Sequence, residues 1–194
     1  MSDDNIVPSE RVGDAPRALV DAVNRGDVED VRKVLADSKT YVDGKIDGRS
    51  PLSYAAQAGN AEMVQLLVNR GADINEKDES GRSPLSYASE AGYFRVILIL
   101  INNGFVVDDK GSNGRTALSY AAERGYSKIL SILLEAGASP NGTIVWNESQ
   151  TECETSLTLA GRAGYINIVT TLADAGADVD VRAADGETPL VSIS

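Results

Sequence analysis

The octapeptide GRSPLSYA occupies residues 48–55, returns unchanged at 81–88, and appears again as GRTALSYA at 114–121. A fixed step of 33 residues constrains the fold more than any property of composition. Each copy is one small supersecondary unit, and such units bury their apolar faces only by stacking on one another. Cys153 takes the place of the leading glycine 39 residues after Gly114, and Gly186 follows after another 33. A second marker keeps the same steps: Gly26, Gly59, Gly92, Gly125 and Gly164. One insertion of six residues, between Asn141 and Cys153, accounts for the single break.

Each unit reads as two helices and a turn. Ser50-Pro51 supplies a capping hydroxyl followed by proline at the first helical position. Leu52, Ala55 and Ala56 recur at i, i+3 and i+4, a narrow apolar stripe of mostly small residues. Gly59 ends this helix, because glycine adopts the left-handed conformation freely. A second helix carries Met63, Val64, Leu66 and Leu67 and ends at Gly71, after which Asp73-Ile74-Asn75 leads an extended polar stretch into the next Gly-Arg.

A 33-residue unit with Ser50-Pro51-Leu52, Ser83-Pro84-Leu85 and Thr188-Pro189-Leu190, together with Gly71-Ala72-Asp73 and Gly176-Ala177-Asp178, resembles the ankyrin repeat. The resemblance covers residues 16–194. It implies an all-α repeat solenoid of stacked helix-turn-helix units joined by extended, hairpin-like fingers. The family's histidine is replaced by Ser53, Ser86, Ser119 and Thr158, and these hydroxyls are expected to hydrogen-bond locally at the helix start. The expected division is an acidic, disordered segment over 1–15, a divergent capping unit over 16–46, units over 47–79 and 80–112, a unit with a finger insertion over 113–151, another over 152–184, and an incomplete sixth over 185–194. Leu190, Val191 and Ile193 make no polar cap, so the natural protein is expected to continue past Ser194 or to have this end covered.

Helical geometry sorts the octapeptide into scaffold and surface. Tyr54 lies about 200° from Leu52 around the helix, so it points away from the core stripe and shares a face with Gln57. Tyr87 with Glu90, Tyr120 with Glu123 and Arg124, and Leu159 with Arg162 repeat the arrangement. Arg49, Arg82 and Arg115 stand just before the caps, at the finger bases. The resemblance places this stripe on the concave surface. Tyr and Arg are enriched where proteins bind one another, and Arg reads carboxylates bidentately. The expected partner is another protein, offering an extended or helical segment with acidic and apolar groups. The competing reading is that these side chains pair with Asp47, Asp78 or Glu90 of the same molecule.

The insertion lengthens one finger and holds the single tryptophan, Trp146, in Ile144-Val145-Trp146. It is either an exposed anchor for a partner or folds back on its neighbours. Leu98 adds an apolar residue where other copies have Gln65 and Ser131, and Tyr93, Tyr126 and Tyr165 form a further ladder read as packing.

Composition narrows the chemistry. The net charge of −11 disfavours nucleic acid and anionic membrane as partners. With no histidine in the chain, the repeated serines lack the usual general base. Cys153 is the single cysteine, which forbids an intrachain disulfide or a thiolate metal cage. The expectation is therefore a non-catalytic binding module, without cofactor or metal. No apolar run spans a bilayer and MSDDNIVPSE lacks the pattern of a secretory signal, which points to the cytoplasm. Two other readings stay open: an anionic small molecule held in the Tyr/Arg groove, and a regulatory segment of a larger multidomain protein.

Overall fold

A computed structural model describes residues 14–37, 40–145, 153–182 and 188. Among these the chain forms five helix pairs: α1 (Asp14–Arg25) with α2 (Val28–Val34), α3 (Pro51–Ala58) with α4 (Ala61–Asn69), α5 (Pro84–Ala91) with α6 (Phe94–Asn102), α7 (Ala117–Glu123) with α8 (Ser127–Glu135), and α9 (Ser156–Arg162) with α10 (Ile166–Asp174). Two short strands, β1 (Thr143–Val145) and β2 (Cys153–Thr155), pair antiparallel ahead of α9. The first helices pack on one another in chain order, and α4, α6, α8 and α10 form the second layer. The architecture is an all-α repeat solenoid, as the period predicts.

The helix starts follow from side-chain chemistry. Ser50, Ser83, Thr116 and Thr155 each accept a hydrogen bond from the backbone N–H three residues on, one of the donors a helix start leaves unsatisfied. The residues in the histidine position bond locally, as expected. The Ser119 hydroxyl donates to the Thr116 carbonyl at 2.8 Å and accepts from the Thr116 N–H at 3.1 Å, and Thr158 repeats this with Thr155. In the two Ser-Pro units the hydroxyls of Ser50 and Ser53, and of Ser83 and Ser86, bond each other instead.

Between the helix layers runs one continuous core. Leu52, Leu85, Leu118 and Leu157 from the first helices meet the pairs Val64/Leu67, Ile97/Leu100, Leu130/Leu133 and Val169/Leu172 from the second, all buried. Each such leucine contributes about 1.5–3 kcal/mol of burial. Leu98 is half-buried.

Two ladders hold the units in step. At the helix-helix turns, each tyrosine lies on the glycine of the unit before it. A Cβ on Gly59 would sit 2.5 Å from the Tyr93 ring, and one on Gly92 or Gly125 would sit 2.8 Å from Tyr126 or Tyr165. The expected packing role of these rings is what the structure shows. Along the fingers, Asp43, Asn75, Asp108 and Asn141 each accept a hydrogen bond from a backbone N–H of the next unit, at Asp73, Val106, Ser139 and Asp178, over 2.8–3.0 Å. Lysines add a parallel rail, with the Lys45 ammonium on the Lys77 carbonyl and the Lys77 ammonium on that of Lys110.

Gly59→Ala should destabilise the fold more than Gly71→Ala. Both positions have positive φ (71° and 83°), which costs a residue with a Cβ about 1–2 kcal/mol, but the added carbon at Gly71 meets nothing within 4 Å. Urea-unfolding midpoints give the order, and equal losses would contradict the ring contact. A second substitution should stabilise. Ser89 is fully buried, and its hydroxyl finds no hydrogen-bond partner among the described residues, whereas the equivalent positions hold Ala56 and Ala122. Ser89→Ala is expected to raise the unfolding free energy by about 1 kcal/mol.

Candidate functional site

The finger turns and first helices together build the surface that the octapeptide marks. Finger residues 46–49 close through Asp47-Gly48, both with positive φ, a two-residue hairpin turn for which Asp-Gly is well suited. The next two fingers have one residue more, closing between Asp78 and Arg82 and between Gly111 and Arg115. All three turns deliver an arginine to the start of the following first helix.

These arginines interleave with the tyrosines. The Arg49 guanidinium lies 4.2 Å from the Tyr54 ring centroid and 4.1 Å from that of Tyr87. Arg82 lies 4.1 Å from Tyr87 and 5.0 Å from Tyr120, and Arg115 lies 5.1 Å from Tyr120. The result is an alternating stack, Tyr54–Arg49–Tyr87–Arg82–Tyr120–Arg115, running across three units, within the range where cation–π attraction acts. The hydroxyls are engaged as well: Tyr54 donates to the Ile46 carbonyl and Tyr87 to the Asp78 carboxylate.

A row of polar partners one helix length on closes the edge of the stack. Arg49 donates to Gln57 at 2.8 Å. Arg82 is ion-paired with Glu90, which also takes Arg124 of the next unit at 3.0 Å. Arg115 grips Glu123 with both terminal nitrogens, at 2.5 and 3.0 Å. Burial alone would push the Glu90 carboxyl up, but Arg82 and Arg124 outweigh it and hold it below its ordinary value. The Arg115 hydrogen bonds hold Glu123 down against burial in the same way, and that pairing raises Arg115 in turn. Burial and the Asp78 hydrogen bond push the Tyr87 phenol up to about 12.

The expected stripe is present, but its members face one another more than they face solvent. Tyr87, Tyr120 and Leu159 are buried and Arg115 is 6% exposed. Pointing away from the leucine stripe is not the same as reaching water, because the preceding unit's arginine also covers the rings of Tyr87 and Tyr120. Tyr54 and Glu123 are half-buried, while Gln57, Arg124 and Arg162 are exposed. Ile144, in the insertion read either as an exposed anchor or as folded back, is buried and sits opposite Glu154 in the β1–β2 register. Trp146 lies outside the described residues. Between the second and third fingers Glu79, Ser80, Arg82, Ser112, Asn113 and Tyr120 border a shallow groove of about 400 Å³.

One participant escaped the sequence reading. Glu154 is 2% exposed and paired with Arg162, with the same separation of eight residues as Arg82–Glu90 and Arg115–Glu123 but the charges exchanged. The signal was the 39-residue step, which sets Glu154 on the arginine position and Arg162 on the glutamate position. The tyrosine position in this unit holds Leu159. Without a ring face, whose negative quadrupole favours a cation, nothing there calls for arginine on that side of the pair.

The sequence model described as "Ankyrin repeats (3 copies)" matches residues 19–110 and 76–144. The chain belongs to the ankyrin-repeat family. Ankyrin repeats are generally protein–protein interaction modules and typically non-catalytic. A human protein, ankyrin repeat domain-containing protein 35, is 41% identical over 75 residues; the matched stretch is 38% of this chain and 7% of that protein. No helix among the described residues is long and apolar enough to cross a membrane.

The depressed carboxyls give this ankyrin array a defined response to acid. Their contribution to stability is complete above the unfolded glutamate pKa of about 4.3 and is lost as pH falls through the lower folded values. Stability measured by urea unfolding between pH 6 and pH 3 should therefore fall less steeply in Glu90→Gln/Glu123→Gln than in the wild type. Identical slopes would show that the pairs hold no charge-dependent energy.

Proposed function

We propose that the chain is a non-catalytic module that binds another protein along its concave face and fingertips, without covalent chemistry. The observation that carries this reading is the alternating Arg–Tyr stack, which fixes the floor of the face across three units. A surface rigid before binding loses little entropy on association. The contacts come from the side chains this floor leaves outward: Gln57, Arg124 and Arg162, with Tyr54, Glu90 and Glu123 at the margin. The stacked Arg49, Arg82, Arg115, Tyr87 and Tyr120, with Leu159, shape the floor. The partner supplies an extended or helical segment whose acidic groups meet Arg124 and Arg162 and whose apolar groups pack beside Tyr54. Trp146, in the extended finger, adds an aromatic anchor.

Affinity capture tests the reading with four baits: wild type, Gln57→Ala/Arg124→Glu, Trp146→Ala, and Arg70→Glu as a control away from the face. A specific partner should be retained by wild type and Arg70→Glu and lost or weakened about tenfold, some 1.4 kcal/mol, by the first two variants. Capture that all four baits perform equally well would reject the concave face as the binding surface.

A further inference from the structure

The edge opposite the fingers, formed by the turns within each helix pair, has a chemistry of its own in the last three units. Second helices α6, α8 and α10 each have nine residues and follow Tyr93, Tyr126 and Tyr165 at the cap position, none of which caps the helix with its side chain. In the first two units, Asp27 and Asn60 do cap. None of the three has an acidic residue in its first turn, and Arg95 and Lys128 stand there, both exposed, where α4 has Glu62. The positive ends of three neighbouring helices and two cations therefore meet at one edge.

The same edge exposes apolar surface. Tyr93, Tyr165 and Ile166 are 39%, 38% and 60% exposed. Two adjoining troughs of about 360 and 330 Å³ share Ser127: one runs between Phe94 and Tyr126, and the other is bordered by Gly164, Tyr165 and Ile166. Lys128 lies 4.3 Å from the Phe94 ring centroid, so cation and aromatic surface are presented together.

We propose that this turn edge is a second docking surface, which takes a peptide segment of another protein carrying carboxylates around an apolar side chain. Charge complementarity decides the chemistry. Finger residues 43–48, 73–81 and 108–114 hold eight Asp or Glu against three Lys, whereas turn residues 91–95, 125–128 and 163–167 hold Arg95 and Lys128 and no acid; Arg124, beside them, is paired with Glu90. A long polyanion meets the field of the whole molecule, with its net charge of −11. A short segment meets the local edge, within a screening length of about 8 Å. The inference does not rest on the concave-face reading, since it uses the first turns of the second helices, with Arg95 and Lys128, rather than the Arg–Tyr stack.

Backbone-amide NMR on the isotopically labelled full chain tests it, with a short peptide of alternating glutamate and leucine as the probe and a lysine–leucine peptide as the control. The acidic probe should shift amides of residues 92–95, 125–129 and 164–167, and the basic one should not. Arg95→Glu/Lys128→Glu should weaken the acidic probe about tenfold or more while circular dichroism stays unchanged. If that variant fails to fold, Arg95→Gln/Lys128→Gln gives the same comparison. Shifts confined to residues 54–57, 87–90 and 120–124, equal affinity in the folded variant, or no shift at millimolar probe would each overturn the proposal. Shifts at the turn edge that grow with protein concentration and need no probe would assign it to a second copy of the chain, and would overturn it too.

Discussion

Every unit of this array is an incomplete core. Leu85 in α5 and Ile97 and Leu100 in α6 belong to one continuous buried cluster, and their helices are flanked by α3 and α7 and by α4 and α8 of the neighbouring units. Stability therefore resides in junctions rather than in units, and each recurring residue is best understood by what it does across a junction. Gly59 is small because Tyr93 lies on it. Asn75 holds an amide of the following finger. The period of the sequence is the period of these contacts.

The arginine–tyrosine stack is the same principle applied to polar side chains. The guanidiniums of Arg49 and Arg82 are each shared between the ring of their own unit and that of the next, and Glu90 gathers one arginine from each side of a junction. Isolated surface ion pairs contribute little. A network that is half-buried, bidentate at Arg115 and backed by ring faces is a different case, because its members are already ordered by their neighbours. The fifth unit shows how the parts depend on one another. Where leucine replaces tyrosine, the pair reverses sign and keeps its geometry.

Much of this was legible in the chain. The period, helix starts, turn glycines and local bonding of Ser119 and Thr158 depend on contacts within a few residues, which spacing reports well. The tyrosine ladder at the turns was legible too, since a ring after each glycine has one neighbour to lie on. What spacing could not report was distance between units. A helical angle tells which way Tyr87 points, but not that Arg49, 38 positions earlier in the chain, is close enough to cover it. The same gap explains Ile144: the sequence left an exposed and a folded-back insertion open, and only the strand register reveals that its base is folded in.

The amide rail along the fingers has a consequence for the insertion. Asn141 accepts from Asp178 and donates to the Gly176 carbonyl, spanning 37 and 35 positions where the other fingers span 30 and 31. The six additional residues thus lie between two anchored points, Asn141 on one side and the cap at Thr155 on the other. Pitch is set by the anchors and not by the length of chain between them. At this one place the array tolerates growth: segments of different length or composition can be carried there as cargo while the units on either side keep their register.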